Sequence, residues 1–209
     1  MDANVRKRNE ILAKELIKDL EKRNMSGYYA ADKDEARKIA LDLIERGSSV
    51  TMGGCASAVE IGLVDALKEG DYDFIDRKTF DDPHESALAA FNADVFLSSA
   101  NAMTDDGILV NIDGNSNRVS AIAYGPKKVV FIVGMNKVCG DMDSAVKRAR
   151  NAAATANVQR FDISTPCSKT GKCSDCTSPD TICCQFLVTR YSRHKDRIHV
   201  ILVNDFLGF

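Results

Sequence analysis

Apolar residues recur along the chain with two different periods, and the switches between them outline the fold. Leu12, Leu16 and Leu20 repeat every fourth position, with Ile11 and Ile17 beside them and Lys and Glu on the opposite face. That spacing predicts an amphipathic helix over about residues 4–22, ended by the turn-forming residues 24–27. A second helix is predicted over 33–46, where Ala36, Ile39, Ala40, Leu43 and Ile44 form one stripe and Gly47 fits a C-cap. Residues 48–52 are a short β-prone run stopped by Gly53 and Gly54. A third helix is predicted over 56–69, with Val59, Leu63 and Leu67 on its buried face.

Further along, 72–75 reads as a strand, 83–92 as a helix and 94–98 as a buried strand. Residues 108–112 and 118–124 read as two antiparallel strands joined at Asp113-Gly114-Asn115. Residues 128–133 form the most apolar strand, and 141–156 a long helix with Asp141 as N-cap. Two last strands are predicted near 186–189 and 198–203. Early alternation of helix and strand predicts an α/β fold: a mostly parallel twisted sheet with helices on both faces and an antiparallel edge. No repeat or low-complexity segment interrupts the pattern. The 209 residues suit one domain, 1–209, with one buried core.

Composition narrows the classes of function. Hydrophobic residues are 44%, charged residues 28% and the net charge is -2, a balance that argues against a nucleic-acid partner. The one basic stretch, Arg190 to Arg197, is interrupted by Tyr191 and Asp196 and reads as a solvated loop. No run approaches the roughly 18 apolar residues of a membrane span. Residues 1–20 lack the apolar core of a secretory leader. The expected location is the cytoplasm, where the seven cysteines are reduced thiols or metal ligands.

Four constellations carry candidate chemistry. Gly53-Gly54-Cys55-Ala56-Ser57 lies where a strand turns into a helix, so the backbone can approach an anion closely and Ser57 can donate a hydroxyl. The same small residues also suit a plain tight turn. Asn101, Thr104 and Asp106 follow the strand 94–98, at a strand end where open α/β sheets place ligands. Their other reading is an Asp-Gly turn with side-chain caps. Asn117 and Arg118, with Asn136 and Lys137, supply a bidentate cation and a point charge for a carboxylate; solvated surface positions are the plain alternative.

The fourth constellation is a cysteine-rich loop over about 166–184, with Cys167, Cys173, Cys176, Cys183 and Cys184 in the spacing C-x5-C-x2-C-x6-C-C. One C-x2-C pair with flanking thiols can hold zinc or an iron–sulfur cluster through Cys167, Cys173, Cys176 and Cys183, with Cys184 as a substitute. Free thiols in a polar loop are the alternative. The three histidines, His84, His194 and His199, show no ligand spacing. No P-loop, nucleophile elbow or dinucleotide fingerprint occurs.

Taken together these segments resemble the lactate-utilisation (LUD) family. The resemblance runs from GGCASAVEIG through ALAAFNADVFLSSANAMTDDGILVNIDGNSNRVSAIAYGP and VVFIVGMNK to the cysteine loop and LVNDFLGF. It implies the fold shared by sugar-phosphate isomerases and CoA transferases, with a ligand site beside Gly53 to Ser57. The family commonly carries Ser at the position of Cys55. Some relatives belong to a multi-subunit system that oxidises lactate to pyruvate, and others carry an added ferredoxin-like module that is absent from these residues.

The expected function is therefore binding of a small anionic metabolite as a component of a lactate-oxidising redox system. Redox partner subunits and a second copy of the chain are the candidate protein partners. One alternative is a stand-alone isomerase- or CoA-transferase-like enzyme, for which Glu60, one helical turn from Ser57, is the candidate base or nucleophile. The other is a metal-stabilised interaction module.

Overall fold

In the computed structural model, which describes residues 1–209, one central sheet takes its innermost strands from mostly apolar chain segments. The strands are β1 (Ser26–Ala30), β2 (Ser49–Met52), β3 (Asp73–Ile75), β4 (Val95–Ser98), β5 (Ala102–Thr104), β6 (Leu109–Asp113), β7 (Lys128–Gly134), β8 (Val138–Cys139), β9 (Gln185–Thr189) and β10 (Ile198–Val203). Six of them form a fully parallel sheet in the order β1-β10-β7-β4-β2-β3.

Helices cover both faces of that sheet. They are α1 (Ala3–Lys22), α2 (Lys33–Leu43), α3 (Ala56–Glu60), α4 (Leu63–Glu69), α5 (Pro83–Asn92), α6 (Asn117–Tyr124), α7 (Met142–Arg148), α8 (Thr155–Asn157) and α9 (Pro166–Thr170). Alternation along the strands feeds two cores. Val95, Leu97, Val130, Ile132, Ile201 and Val203 face Ala36, Ala40, Ala58, Leu63 and Leu67 of α2, α3 and α4. Phe96, Val129, Phe131, Val133, Val200 and Leu202 face Ala13, Leu16 and Leu20 of α1 and Ala121 and Ile122 of α6. Because both sheet faces are covered, the central strands read as continuous apolar runs.

The antiparallel part is a separate four-stranded sheet in the order β8-β5-β6-β9, in which β6 runs antiparallel to β5 and to β9. Ala102, Val110 and Ile112 of this sheet pack on Ala145 and Ala149 of the long helical rod that starts with α7. The rod continues through a π-helical stretch, Ala149–Ala154, into α8. As expected, Asp141 caps it, accepting the Ser144 N–H at 2.6 Å.

Four local expectations are corrected. Residues 118–124 form helix α6, not a strand. Ser116 takes a left-handed φ of 65° that stops the extended run, and Asp113 Oδ2 accepts the Val119 N–H at 3.0 Å. The predicted third helix breaks into α3 and α4 at Gly62, whose φ of 69° lies in the left-handed region, and Val59 is 54% exposed, not buried. Helix α2 ends at Leu43, so Gly47, with φ 77°, sits in the following turn and caps no helix. Residues 26–27, expected within a turn, begin the edge strand β1; the chain turns at Asn24, with φ 58°.

Candidate functional site

The C-terminal ends of β4 and β7 lie side by side in the middle of the parallel sheet, where connecting loops diverge and leave space for a ligand. A cleft of about 480 Å³ opens there. Gly53 to Ser57 form one side, Ser98 to Asn101 and Lys137 the floor, and Asp113 to Arg118 the opposite side. Arg160 and Arg77 stand at the rim. The segment Pro179 to Ile182, from the cysteine-rich loop, and Gly208 and Phe209 complete the wall.

Lys137 is delivered by the short 3-10 turn Met135–Lys137 directly after β7 and is only 3% exposed. Its Nζ donates to Ser99 Oγ at 2.9 Å and to Ser57 Oγ at 3.3 Å. No carboxylate lies within ion-pair distance of it. Burial pushes its pKa down to about 8, with opposing help from Cys55 and Glu60 and reinforcement from Arg148 and Arg118. A buried ammonium without a counter-ion carries a desolvation cost that an entering anion would relieve.

Arg118 is placed by α6 so that its stem lies across the glycine turn; a Cβ on Gly53 would sit 3.3 Å from Arg118 Cδ. Its guanidinium donates to Ser99 O at 3.4 Å, Asn101 Oδ1 at 3.1 Å and Ile112 O at 2.5 Å, and lies 3.8 Å from Asp113. Burial lowers its pKa, while Asp113 acts in the other direction. Arg118 thus fastens the end of β6 to the floor and keeps a positive charge on the wall. Asn101 serves the same joint, accepting the Ile112 N–H at 2.9 Å.

Of the residues singled out in the sequence, Gly53, Gly54, Ser57, Asn101, Asn117, Arg118 and Lys137 come together on this cleft. Thr104 and Asp106 do not. Asp106 lies at the far end of β5, where it pairs with Arg23 at 2.5 Å, and Thr104 donates to Asp106 within that turn. Asn136 points away and accepts the Leu207 N–H at 3.2 Å. Glu60 does not line the cleft; both carboxylate oxygens accept the Gly208 N–H at 3.1 Å. Helix α3 spans only five residues, too short for the strong helix-start anion site that the Gly-Gly pattern suggested.

Sequence reasoning missed Ser99, which meets Lys137, Ser57 and Arg118 at once. Its signal was position alone, the residue after a buried strand. Arg160 was also missed. It makes no ion pair, donates to Asn157 Oδ1 at 3.2 Å and follows the rod by a single turn.

The family pattern for the LUD domain matches residues 13–203, which spans both sheets and the cleft between them. The chain belongs to the LUD-domain family. No curated protein matches it. Among solved structures, it resembles a DUF162 family protein from Deinococcus radiodurans at 13% identity and TM-score 0.52, covering 95% of this chain and 98% of that one. That likeness shows that the two chains share a fold. A weaker likeness is to eIF2B delta from Chaetomium thermophilum, at 16% identity and TM-score 0.36, covering 67% of this chain and 57% of that one.

All seven cysteines are free thiols. Cys167 lies in the first turn of α9, near its N-cap Thr165, whose hydroxyl lies 3.3 Å from the Cys167 sulfur. Cys173 accepts from Arg150 Nη2 at 3.5 Å, and Cys183 packs against the core cluster of Ala102, Val110, Ile112, Ala145 and Ala149. Burial, then Cys173, Cys167 and Cys176 in that order, push the Cys183 thiol up to about 11, so the four expected ligands are electrostatic neighbours. No three His, Cys, Asp or Glu side chains are arranged to hold one metal ion. No helix is long and apolar enough to cross a membrane.

Proposed function

We propose that this LUD-domain protein binds a small anionic metabolite in the cleft at the ends of β4 and β7, as a cytoplasmic component of a lactate-oxidising redox system. The observation that carries the binding step is Lys137, an ammonium buried on the cleft floor with two serine hydroxyls and no carboxylate. Arg118, Arg160 and Arg77 bring the lining to four basic side chains against the carboxylates of Asp113 and Asp180. Asp113 is occupied by the Asn115 and Val119 N–H groups, and Asp180 by that of Ser164, so the field in the cleft favours an anion.

Calorimetric titration with lactate, pyruvate and inorganic phosphate tests this reading. At least one of them binds the wild type, and Lys137→Met weakens it by about tenfold or more, as expected for loss of a desolvated charge contact. No binding by any of the three would overturn the reading.

The cysteine loop is the second element of the proposal. Cys167, Cys173, Cys176 and Cys183 would hold an iron–sulfur cluster or zinc only after the loop draws them together, since no three of them stand in ligand geometry; the role is supported by four electrostatically neighbouring free thiols in one loop. Bound there, the group would supply electron transfer if it is a cluster, or cross-linking of the loop if it is zinc. Elemental analysis and absorbance spectroscopy after anaerobic purification distinguish the two. Protein without iron or zinc under those conditions would remove this part of the proposal.

A further inference from the structure

Lys137 has more chemistry available than charge. Three elements bring ionisable groups toward its amine: α3 with Cys55 at its start and Glu60 at its end, α6 with Arg118, and α7 with Arg148. None of the carboxylates forms an ion pair with it. The amine is confined between Ser99 Oγ and Ser57 Oγ, and those hydroxyls are themselves 3.4 Å apart. Gly208 closes over the pair, since a Cβ there would lie 3.1 Å from Ser57 Oγ and 3.2 Å from Lys137 Nζ. Desolvation and neighbouring cations are the two devices by which lysine amines become nucleophiles toward carbonyl carbons.

We propose that Lys137 forms an imine with an anionic carbonyl metabolite, an oxo acid or a sugar phosphate, whose anionic group is held by the arginines of the same cleft. This deepens the anion-binding reading and rests on it. The Nζ lone pair attacks the carbonyl carbon, a C–N bond forms, and the carbonyl π pair moves to oxygen. That oxygen gains the proton that nitrogen loses, relayed by the Ser99 and Ser57 hydroxyls. The carbinolamine hydroxyl then leaves as water, the C–O bond breaking as the nitrogen lone pair completes the C=N bond, and the remaining N–H proton balances the one that the departing hydroxyl takes up through the same serines. No oxidant or reductant enters, and water reverses the reaction.

The reacting amine must be the neutral form. With its pKa near 8, about a fifth of Lys137 is neutral at pH 7.4, against roughly 0.1% of an ordinary exposed lysine. The cleft thus supplies the nucleophile without a dedicated base.

Reductive trapping tests the proposal. The full chain is incubated with sodium cyanoborohydride and, in separate arms, pyruvate, dihydroxyacetone phosphate or lactate, then digested with trypsin. Trapping by pyruvate or by dihydroxyacetone phosphate assigns the carbonyl source; lactate, which has no carbonyl, must give none. A modified Lys137 resists cleavage, so the product is the peptide 129–147 carrying the metabolite less water plus two hydrogens. Lys137 is expected to be labelled at least about tenfold faster than exposed lysines such as Lys14 and Lys18. Lys137→Arg has no primary amine at this position, so it abolishes the label at residue 137. Labelling spread evenly over surface lysines would overturn the imine. Calorimetric binding of anions without any trapping would do the same and leave the anion site standing. Loss of both would sink the anion site as well.

Discussion

Lys137 Nζ lies 2.9 Å from Ser99 Oγ, and this contact joins the ends of two adjacent parallel strands through side chains. Ser99 follows β4 and Lys137 follows β7, so the pair exists only when the sheet order is correct. Ser99→Ala removes the nearer acceptor from a buried ammonium and should cost about 1–3 kcal/mol. Urea unfolding of the variant measures it; an unchanged midpoint would mean that water replaces the hydroxyl.

Lys137 also sets a pH dependence. Its folded pKa, about 8, lies below the ordinary 10.5, so between those values the unfolded chain binds more protons. Stability from this group therefore rises as pH climbs from 8 toward 10.5, by on the order of 3 kcal/mol in full. Below pH 8 the buried charge opposes folding. Lys137→Met lacks the group, so its stability advantage over wild type should be largest near pH 7 and shrink by pH 10. An advantage constant across that range would contradict the assignment.

Arg118 donates to three oxygens, Ser99 O, Asn101 Oδ1 and Ile112 O, of which the first two also accept from Asn111 and from the Ile112 N–H. Arg118→Met removes the guanidinium from all three and leaves Asp113 without its cation, so it should destabilise the fold by about 1–3 kcal/mol, read as a lowered urea midpoint. Arg118→Lys should recover only part, because an ammonium cannot span the fork.

At Gly208 the backbone has a left-handed φ of 56°, and the space for a Cβ is bounded by Ser57 Oγ and Lys137 Nζ. Gly208→Ala should cost on the order of 1 kcal/mol and expose the Gly208 amide, now held by Glu60, to faster hydrogen exchange. Glu60→Gln should do less, since an amide oxygen still accepts. Equal exchange in wild type and both variants would show that the contact with Glu60 contributes nothing.

For the cysteine loop, anaerobic protein treated with a chelator should become susceptible to protease within residues 167–184 while the six-stranded sheet stays intact. Identical digestion before and after treatment would argue that the loop is ordered without metal.

Much of this arrangement was legible in the residues. The run Lys128–Gly134 is apolar at every position after the first because both of its faces are covered, and Ile198–Val203 is fully buried for the same reason. Gly53, Ser57, Asn101, Arg118 and Lys137 share one cleft because each follows or faces a strand end, a position that pattern reveals. Helix α6 was not legible. Val119, Ala121 and Ile122 fit either period over so short a run, and the choice is made by the φ of Ser116 and the Asp113 cap. Thr104 and Asp106 misled because a turn at the far end of β5 uses the same residue types as a ligand loop.

Pro179 to Ile182 line the cleft, and the next residue, Cys183, packs against the small core between the four-stranded sheet and the rod. Ile182 presses on Gly114, where a Cβ would lie 3.1 Å from its Cα. The cleft and the cysteine-rich loop thus share a single strip of backbone, so a change in one bears on the other. Thermodynamic reciprocity follows: any state of the thiols that alters metabolite affinity by some factor must have its own equilibrium shifted by the metabolite by that same factor.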